Sequence, residues 1–457
     1  MIFSSISFFV FFIIVLLAMA LTNLGARTPL TASLAARRAI LLVASYVFYG
    51  WWDWRFCLLM LALSVIAGYS ALKNKRAFLI IGIVAPLVTL GFFKYFNFFV
   101  ASFTAAFGLQ NSGALRIILP VGISFYTFQS MSYTIDVYRK KLPAVRDFSK
   151  LALYIAFFPQ LVAGPIIKAA DFLPQLEENR NVNLKNLKIG MQIFLFGLFK
   201  KIVIADRLSV FVDDVFRTPK AFHAVTLILA LISYAIQIYF DFSGYSDMAI
   251  GCAKCLGYDF NRNFNLPYIS RNISEFWKRW HISLSSWLQE YLYIPLGGNR
   301  RGVPRTYLNL FLTMLLGGLW HGASWTFVLW GAAHGIALCI HRFLKRKTFN
   351  ARGKIYSLAS CLLTNVFVCF CWVLFRADTF STASDIFTGI FSWQNGIMQI
   401  YSWSVIAIIF LAAGSIAAVL KQKNNPLQTT GLVSGFYPIL DLEKFWQLVL
   451  FFVAAGG

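Results

Sequence analysis

Apolar residues come along this chain in blocks, with short polar runs between them. Met1–Leu21, Phe56–Leu72, Ala77–Phe96, Ile117–Ile135, Val225–Phe242 and Tyr356–Phe375 approach the ~20 residues a helix needs to cross a hydrocarbon core. Ala39–Gly50, Ile189–Ile204 and Ser402–Leu420 extend the series, and Gln447–Ala455 begins another. By this length rule the pattern predicts an all-α polytopic membrane protein with roughly ten to twelve membrane segments. The first block has no basic residues ahead of it and no A-x-A site after it, so it reads as a retained span and not a cleaved signal.

The polar runs orient the spans. "GARTPLTASLAARR", "KNKR" (Lys73–Arg76), "YRKK" (Tyr138–Lys141) and "HRFLKRK" (His341–Lys347) are basic and belong on the cytoplasmic side. The tip "WWDWR" (Trp51–Arg55) suits an interfacial aromatic belt. Three regions break the alternation. Ala156–Ile166 carries Pro159, Gly164 and Pro165 among apolar residues; such backbone survives at membrane depth only inside protein or beside a cavity, which predicts a re-entrant or kinked segment. Asn261–Arg305 is too polar for a span. Within it Phe276, Trp277, Trp280, Leu284 and Trp287 follow one helical face, predicting an amphipathic helix along the membrane surface that ends at "YIPLGGNRR". Tyr307–Cys339 is long for one crossing, so it is tilted, broken or double.

Composition agrees. The 457 residues are 59% hydrophobic and 13% charged, against about 25% charged in soluble domains. The net charge of +23 would suggest nucleic acid in a soluble protein. Here the basic residues sit in short loops, so the bilayer is the expected partner and nucleic acid is not. Seven cysteines lie in or beside apolar segments, and Cys252-Ala-Lys-Cys255 is a lone pair where zinc needs four ligands; no metal site is expected.

Chemistry-bearing residues concentrate in three stretches. In "QIYFDFSGYSDMAIG" (Gln237–Gly251), Asp241 and Asp247 lie six apart, about 120° around a straight helix, and form no tight carboxylate dyad. Helix capping or pairing with loop arginines is the plainer reading of these acids; proton relay or substrate guidance is the other. In "RNISEFWKRWHISLSSW" (Arg271–Trp287), His281 follows Trp280 among aromatic residues that suit a pocket rim. In "GGLWHGASWTFVLWGAAHG" (Gly317–Gly335), His321 is flanked by Trp320 and Trp325, and Gly318 and Gly322 admit a second backbone. On one straight helix His321 and His334 would be about 20 Å apart in rise and roughly 220° in rotation, so they would not share a substrate atom. An intramembrane histidine is a functional candidate by default, and a neutral imidazole accepts a proton from a hydroxyl. No G-x-S-x-G, H-E-x-x-H or Walker motif is present. His321 is the candidate base, and His281, forty positions earlier, can reach it through folding of the intervening loop.

These stretches resemble the membrane-bound O-acyltransferase superfamily, most closely its bacterial polysaccharide branch, which includes the alginate O-acetyltransferase membrane subunit. The likeness rests on "LPVGISFYTFQSMSYTIDVYR" (Leu119–Arg139), "FPQLVAGPI" (Phe158–Ile166), "FDFSGYSDMAIG" (Phe240–Gly251), "PYISRNISEFWKRWHISLSSWLQEYLYIPLGG" (Pro267–Gly298) and the Gly317–Gly335 stretch, in family order. It implies a single membrane domain over residues 1–457, with core motifs in 119–335 and helices around a central funnel or tunnel. It places the family's near-invariant histidine at His321, and its second polar position at His281. His334, Trp320, Trp325, Trp277, Trp280, Asn272, Arg279, Asp241 and Asp247 become candidate tunnel or substrate-binding residues.

The implied reaction is acetyl transfer in a bacterial inner membrane. It uses a cytoplasmic donor, acetyl-CoA or an acyl carrier, with no bound cofactor, and passes the acetyl group toward a periplasmic SGNH-type acetyltransferase partner. Lys278 and Arg279 could steer the donor's phosphates, although solvated or lipid-facing charges is the plainer reading. D-alanyl transfer, or acyl transfer to peptidoglycan or cellulose, is the alternative within the fold. A transporter or flippase is the alternative from another class, and the internal repeat it calls for is not found in the sequence.

Overall fold

A computed structural model describes residues 1–24, 30–109, 115–178, 180, 182–346 and 354–424. The first half builds α1 (Ile6–Leu24), α2 (Leu30–Asp53), α3 (Arg55–Lys73), α4 (Arg76–Leu90), α5 (Phe96–Ala106), α6 (Ile123–Tyr138), α7 (Phe148–Ala156), α8 (Phe158–Leu161), α9 (Ala169–Phe172) and α10 (Leu184–Phe199). The second half continues with α11 (Asp206–Arg217), α12 (Ala224–Cys255), α13 (Ile273–Arg279), α14 (Ile282–Leu288), α15 (Val303–His321), α16 (Trp325–Arg346), α17 (Lys354–Arg376), α18 (Phe380–Phe391) and α19 (Ser402–Asn424). Among the described residues the extended pairing is one isolated bridge, Phe222 with Ile397.

Among the described residues six stretches are long and apolar enough to cross a bilayer: Ala32–Asp53, Arg55–Lys73, Arg76–Ala106, Ala224–Cys255, Trp325–Lys345 and Ile355–Arg376. Ile6–Thr22 and Ser402–Ala413 are shorter apolar helices. The protein is an all-α, multi-pass membrane protein. Arg37 and Arg38, expected in a loop, lie inside α2. The span expected from Ile117 starts only at Ile123, after Pro120 and a left-handed Gly122 (φ 74°). A Cβ at Gly122 would lie 2.3 Å from the Leu161 carbonyl oxygen, so both the conformation and the contact call for glycine. The segment Gln447–Ala455 falls outside the described residues.

The chain divides into two compact units. The first comprises residues 1–195 and 245–261. Its core is an aromatic stack in which Phe8 meets Phe12 and Phe194 face to face, while Phe158 packs edge-on to Phe11. The proline-rich stretch after α7 is buried here, as its sequence predicts. Its polar backbone is satisfied by side chains: the Phe158 N–H donates to Ser45 Oγ at 3.1 Å, and Tyr154 Oη donates to the Ile167 carbonyl at 2.9 Å. Asp259, just beyond α12, is clamped by Lys254 (2.7 Å) and Arg180 (2.8 Å).

The second unit comprises residues 196–244 and 262 onward. Phe211, Val215, Phe222, Leu227 and Ala230 form a cluster covered by Tyr401 and Ile390. The Tyr307–Cys339 region resolves into two helices, α15 and α16, and this hairpin organises the histidines.

Candidate active site

The hairpin turns at Gly322–Ser324. Gly322 is extended (φ −161°, ψ 153°) and ends α15 directly after His321. Ser324 Oγ accepts from the Thr326 N–H at 3.3 Å, the capping bond of a helix start, and α16 runs back alongside α15. Two glycines set how closely the arms cross. A Cβ on Gly318 would lie 2.3 Å from the Phe327 carbonyl oxygen and 2.9 Å from Gly331 Cα, and one on Gly331 would lie 2.5 Å from the Met314 carbonyl oxygen. Small residues allow this backbone-to-backbone packing.

The turn overturns the straight-helix estimate for His321 and His334. His321 ends one arm, His334 sits on the other, and Trp330 lies between them, with ring centroids 5.2 Å from His321 and 4.7 Å from His334. The two imidazoles are therefore no more than about 10 Å apart, the sum of those separations.

The Arg271–Arg301 stretch also departs from expectation. It is not one helix: α13 ends at Arg279, α14 begins at Ile282, and Gln289–Tyr293 continues as a π-helical turn. His281 stands at the break in a left-handed conformation (φ 42°, ψ 57°). For a residue with a Cβ this costs about 1–2 kcal/mol. The loop before α13 holds the break. The Ile282 N–H donates to the Asn263 carbonyl (2.8 Å), the Ser283 N–H and Oγ both donate to Asn263 Oδ1 (3.1 and 2.9 Å), and the Asn265 N–H donates to the Arg279 carbonyl (2.8 Å). The apolar face read from the sequence is real, for Phe276, Trp280, Leu284 and Trp287 are all buried.

The break delivers His281 to the hairpin. Its ring centroid is 6.5 Å from that of His321, 6.1 Å from Trp320 and 4.6 Å from Phe242 of α12. His281 is 1% exposed, and among the described residues neither of its ring nitrogens has a hydrogen-bond partner. His321 is only partly buried and lies 5.0 Å from Trp320 and 5.2 Å from Phe375. His334 is fully buried in an aromatic box of Trp277, Trp330, Phe276 and Phe367.

The remaining candidates separate. Trp320, Trp277 and Trp280 join this cluster, Trp280 packing on Trp372 at 4.9 Å. Trp325 is 54% exposed at the start of α16. Asn272 is the N-cap of α13, its side chain accepting from the Glu275 N–H at 2.9 Å. Arg279 is held by Glu275 (2.9 Å) and by the Asn265 carbonyl (3.2 Å), while Lys278 is exposed. Asp241 pairs with Lys201, which also binds Asp206 at 2.7 Å. Asp247 is buried and belongs to the first unit, Asp241 to the second.

Sequence reading missed Trp330, Trp372, Phe375 and Asn263. Trp330 lies within the quoted histidine stretch, but only the hairpin shows that it faces both rings. Trp372 and Phe375 come from α17, far along the chain, and carry no local signal. At the opposite end of the hairpin, Asn299, Gly302, Val303, Thr306, Arg342 and Lys345 line a cavity of ≈ 500 Å³.

Comparison with known proteins gives this constellation a context. A profile described as MBOAT, membrane-bound O-acyltransferase family, matches residues 139–377, which include all the rings above from Phe242 to Phe375. The chain is 42% identical over 416 residues to the probable alginate O-acetylase AlgI of Pseudomonas aeruginosa, covering 86% of this chain and 78% of that protein. The chain belongs to the membrane-bound O-acyltransferase family. This acyltransferase is also 39% identical to a peptidoglycan O-acetyltransferase of Helicobacter pylori, over 76% of this chain and 72% of that one. It is 25% identical to the teichoic acid D-alanyltransferase of Bacillus subtilis, over 69% and 82%. The protein is thus an O-acyltransferase, and the transporter reading is set aside.

Proposed function

We propose that this acyltransferase moves an acetyl group from a cytoplasmic thioester, acetyl-CoA, toward O-acetylation of a polysaccharide such as alginate, across a bacterial inner membrane. The observation that carries the reading is the His281–His321 pair at 6.5 Å, inside a family whose reaction is acyl transfer to a hydroxyl. The partly accessible His321 takes the proton of the acceptor hydroxyl, and the oxygen attacks the thioester carbonyl. The tetrahedral oxyanion then expels the thiolate, which recovers the proton from His321. A neutral imidazole keeps one N–H donor, and His281, whose nitrogens have no hydrogen-bond partner among the described residues, offers it to the oxyanion.

The ≈ 500 Å³ cavity at the basic end of the hairpin suits the donor's phosphates. Its Arg342 and Lys345 have no carboxylate partner among the described residues. Alginate as acceptor follows the 42% relative, and peptidoglycan is the second acceptor, favoured by the 39% relative. A secreted SGNH-type acetyltransferase would receive the acetyl group on the periplasmic side.

The test is His321→Ala at matched protein level in cells making the polymer. Loss of polymer O-acetylation is expected, and retained O-acetylation refutes the role of His321. A fall with His334→Ala but none with His281→Ala would show that the wrong partner histidine has been assigned. Mass analysis of purified alginate and of peptidoglycan from the same cells separates the two acceptors.

A further inference from the structure

We infer that Asn263 is a positioning residue for acyl transfer: it sets the orientation of His281 and touches neither substrate nor acyl donor. The inference rests on the proposed role of His281. His281 occupies a backbone conformation that residues with a Cβ rarely adopt, at a break between two seven-residue helices. Such short helices do not hold an angle by themselves. The loop before α13 fixes the break, and most of its bonds to the residues after His281 run through Asn263. Asn263 accepts three hydrogen bonds from the two residues that follow His281, one through its carbonyl and two through Oδ1. It is 1% exposed, so these bonds do not compete with solvent. Among the described residues neither ring nitrogen of His281 has a hydrogen-bond partner, and Phe242, Phe264 and Trp320 pack around the ring. Its direction toward His321 is therefore inherited from the backbone that Asn263 clamps.

Both Oδ1 bonds come from donors, the Ser283 N–H and Oγ, so the position needs an acceptor at the end of a short side chain. Aspartate supplies one; leucine, of similar shape, does not. Removal of the clamp lets the break relax toward continuous helix, which rotates the His281 ring away from His321.

The experiment uses the protein in lipid nanodiscs together with its periplasmic acetyltransferase partner, with acetyl-CoA as donor and an oligouronate as final acceptor, following thiol release. Asn263→Leu is expected to lower kcat by about 100-fold, the cost of roughly 1 Å of misplacement, with KM for acetyl-CoA unchanged. Asn263→Asp is expected to recover most of kcat. In a double-mutant cycle, Asn263→Leu added to His281→Ala should produce no further loss. Multiplicative losses in the cycle, a rise in KM in place of a fall in kcat, or full activity of Asn263→Leu each overturn the inference. If Asn263→Leu does not accumulate, Ser283→Ala, which deletes one of the Oδ1 bonds, is read in the same cycle by the same criteria. Full activity of His281→Ala alone would instead overturn the proposed role of His281, a result distinguishable from uncoupled Asn263 variants in an enzyme that does depend on His281.

Discussion

Gly331→Ala should separate the contribution of hairpin geometry from that of side-chain chemistry. The added Cβ would sit 2.5 Å from the Met314 carbonyl oxygen and 3.1 Å from Gly318 Cα. Relief to an ordinary contact of 3.4 Å requires the arms to part by about 0.9 Å at the crossing. That point adjoins Trp330, whose ring touches both His321 and His334. Misplacement by about 1 Å costs catalysis on the order of 100-fold, while overpacking of a fitted contact costs about 1–3 kcal/mol of stability. The variant should therefore reach the membrane and lose about 99% of acyl transfer. The assay is polymer O-acetylation normalised to membrane-embedded protein, with thermal denaturation of the purified protein alongside. Gly91→Ala is the control, because a Cβ there meets nothing within 4 Å and its φ is an ordinary −57°. If Gly331→Ala keeps more than half of wild-type transfer at equal protein level, the crossing does not hold the site.

Asn272→Ala should behave as the loss of a helix cap, lowering stability by about 1 kcal/mol, with Asn272→Asp restoring it and the donor KM unmoved. A raised KM would return Asn272 to the substrate-binding residues. Burial alone would raise the carboxyl of Asp259, but hydrogen bonds and charge from Lys254 and Arg180 hold it below its ordinary value. A depressed folded-state value stabilises the protein above the unfolded value of about 4, and that stability is lost as pH falls through the folded one. The melting temperature should thus fall on acidification below pH ~4, and Asp259→Asn should flatten that part of the profile. An unchanged profile would show that the clamp contributes nothing to stability.

Span-forming helices were legible because bilayer crossing imposes length and apolarity together, as Arg55–Lys73 and Ala224–Cys255 illustrate. The buried proline-rich segment was legible for the complementary reason, since unsatisfied backbone needs protein around it. Breaks were harder to read. The aromatic periodicity from Phe276 to Trp287 survives a change of backbone direction at His281, because both short helices bury the same side. Periodicity reports which side chains are inside, and a left-handed residue between two helices leaves it intact. The closeness of His321 and His334 is hidden for a related reason: Gly322-Ala323-Ser324 is brief enough to pass within a continuous apolar block, yet it reverses the chain. Asp241 is ion-paired, but with Lys201 of a helical turn and not with a loop arginine. Trp372 and Asn263 belong to contacts made across long sequence separations, which one sequence does not encode locally.

The Gly318–Gly331 crossing gives chain length a meaning here. The twelve residues between these glycines form a closed loop pinned at both ends by backbone contact, and the loop contains both His321 and Trp330. Outside the pin, an inserted residue can be absorbed in a helix end or a connecting segment. Inside it, one extra residue shifts the register of one arm by about 1.5 Å and turns it by about 100°, which would point either His321 or Trp330 out of the cluster. The count of residues between two glycines is therefore as much a part of this site as the imidazoles.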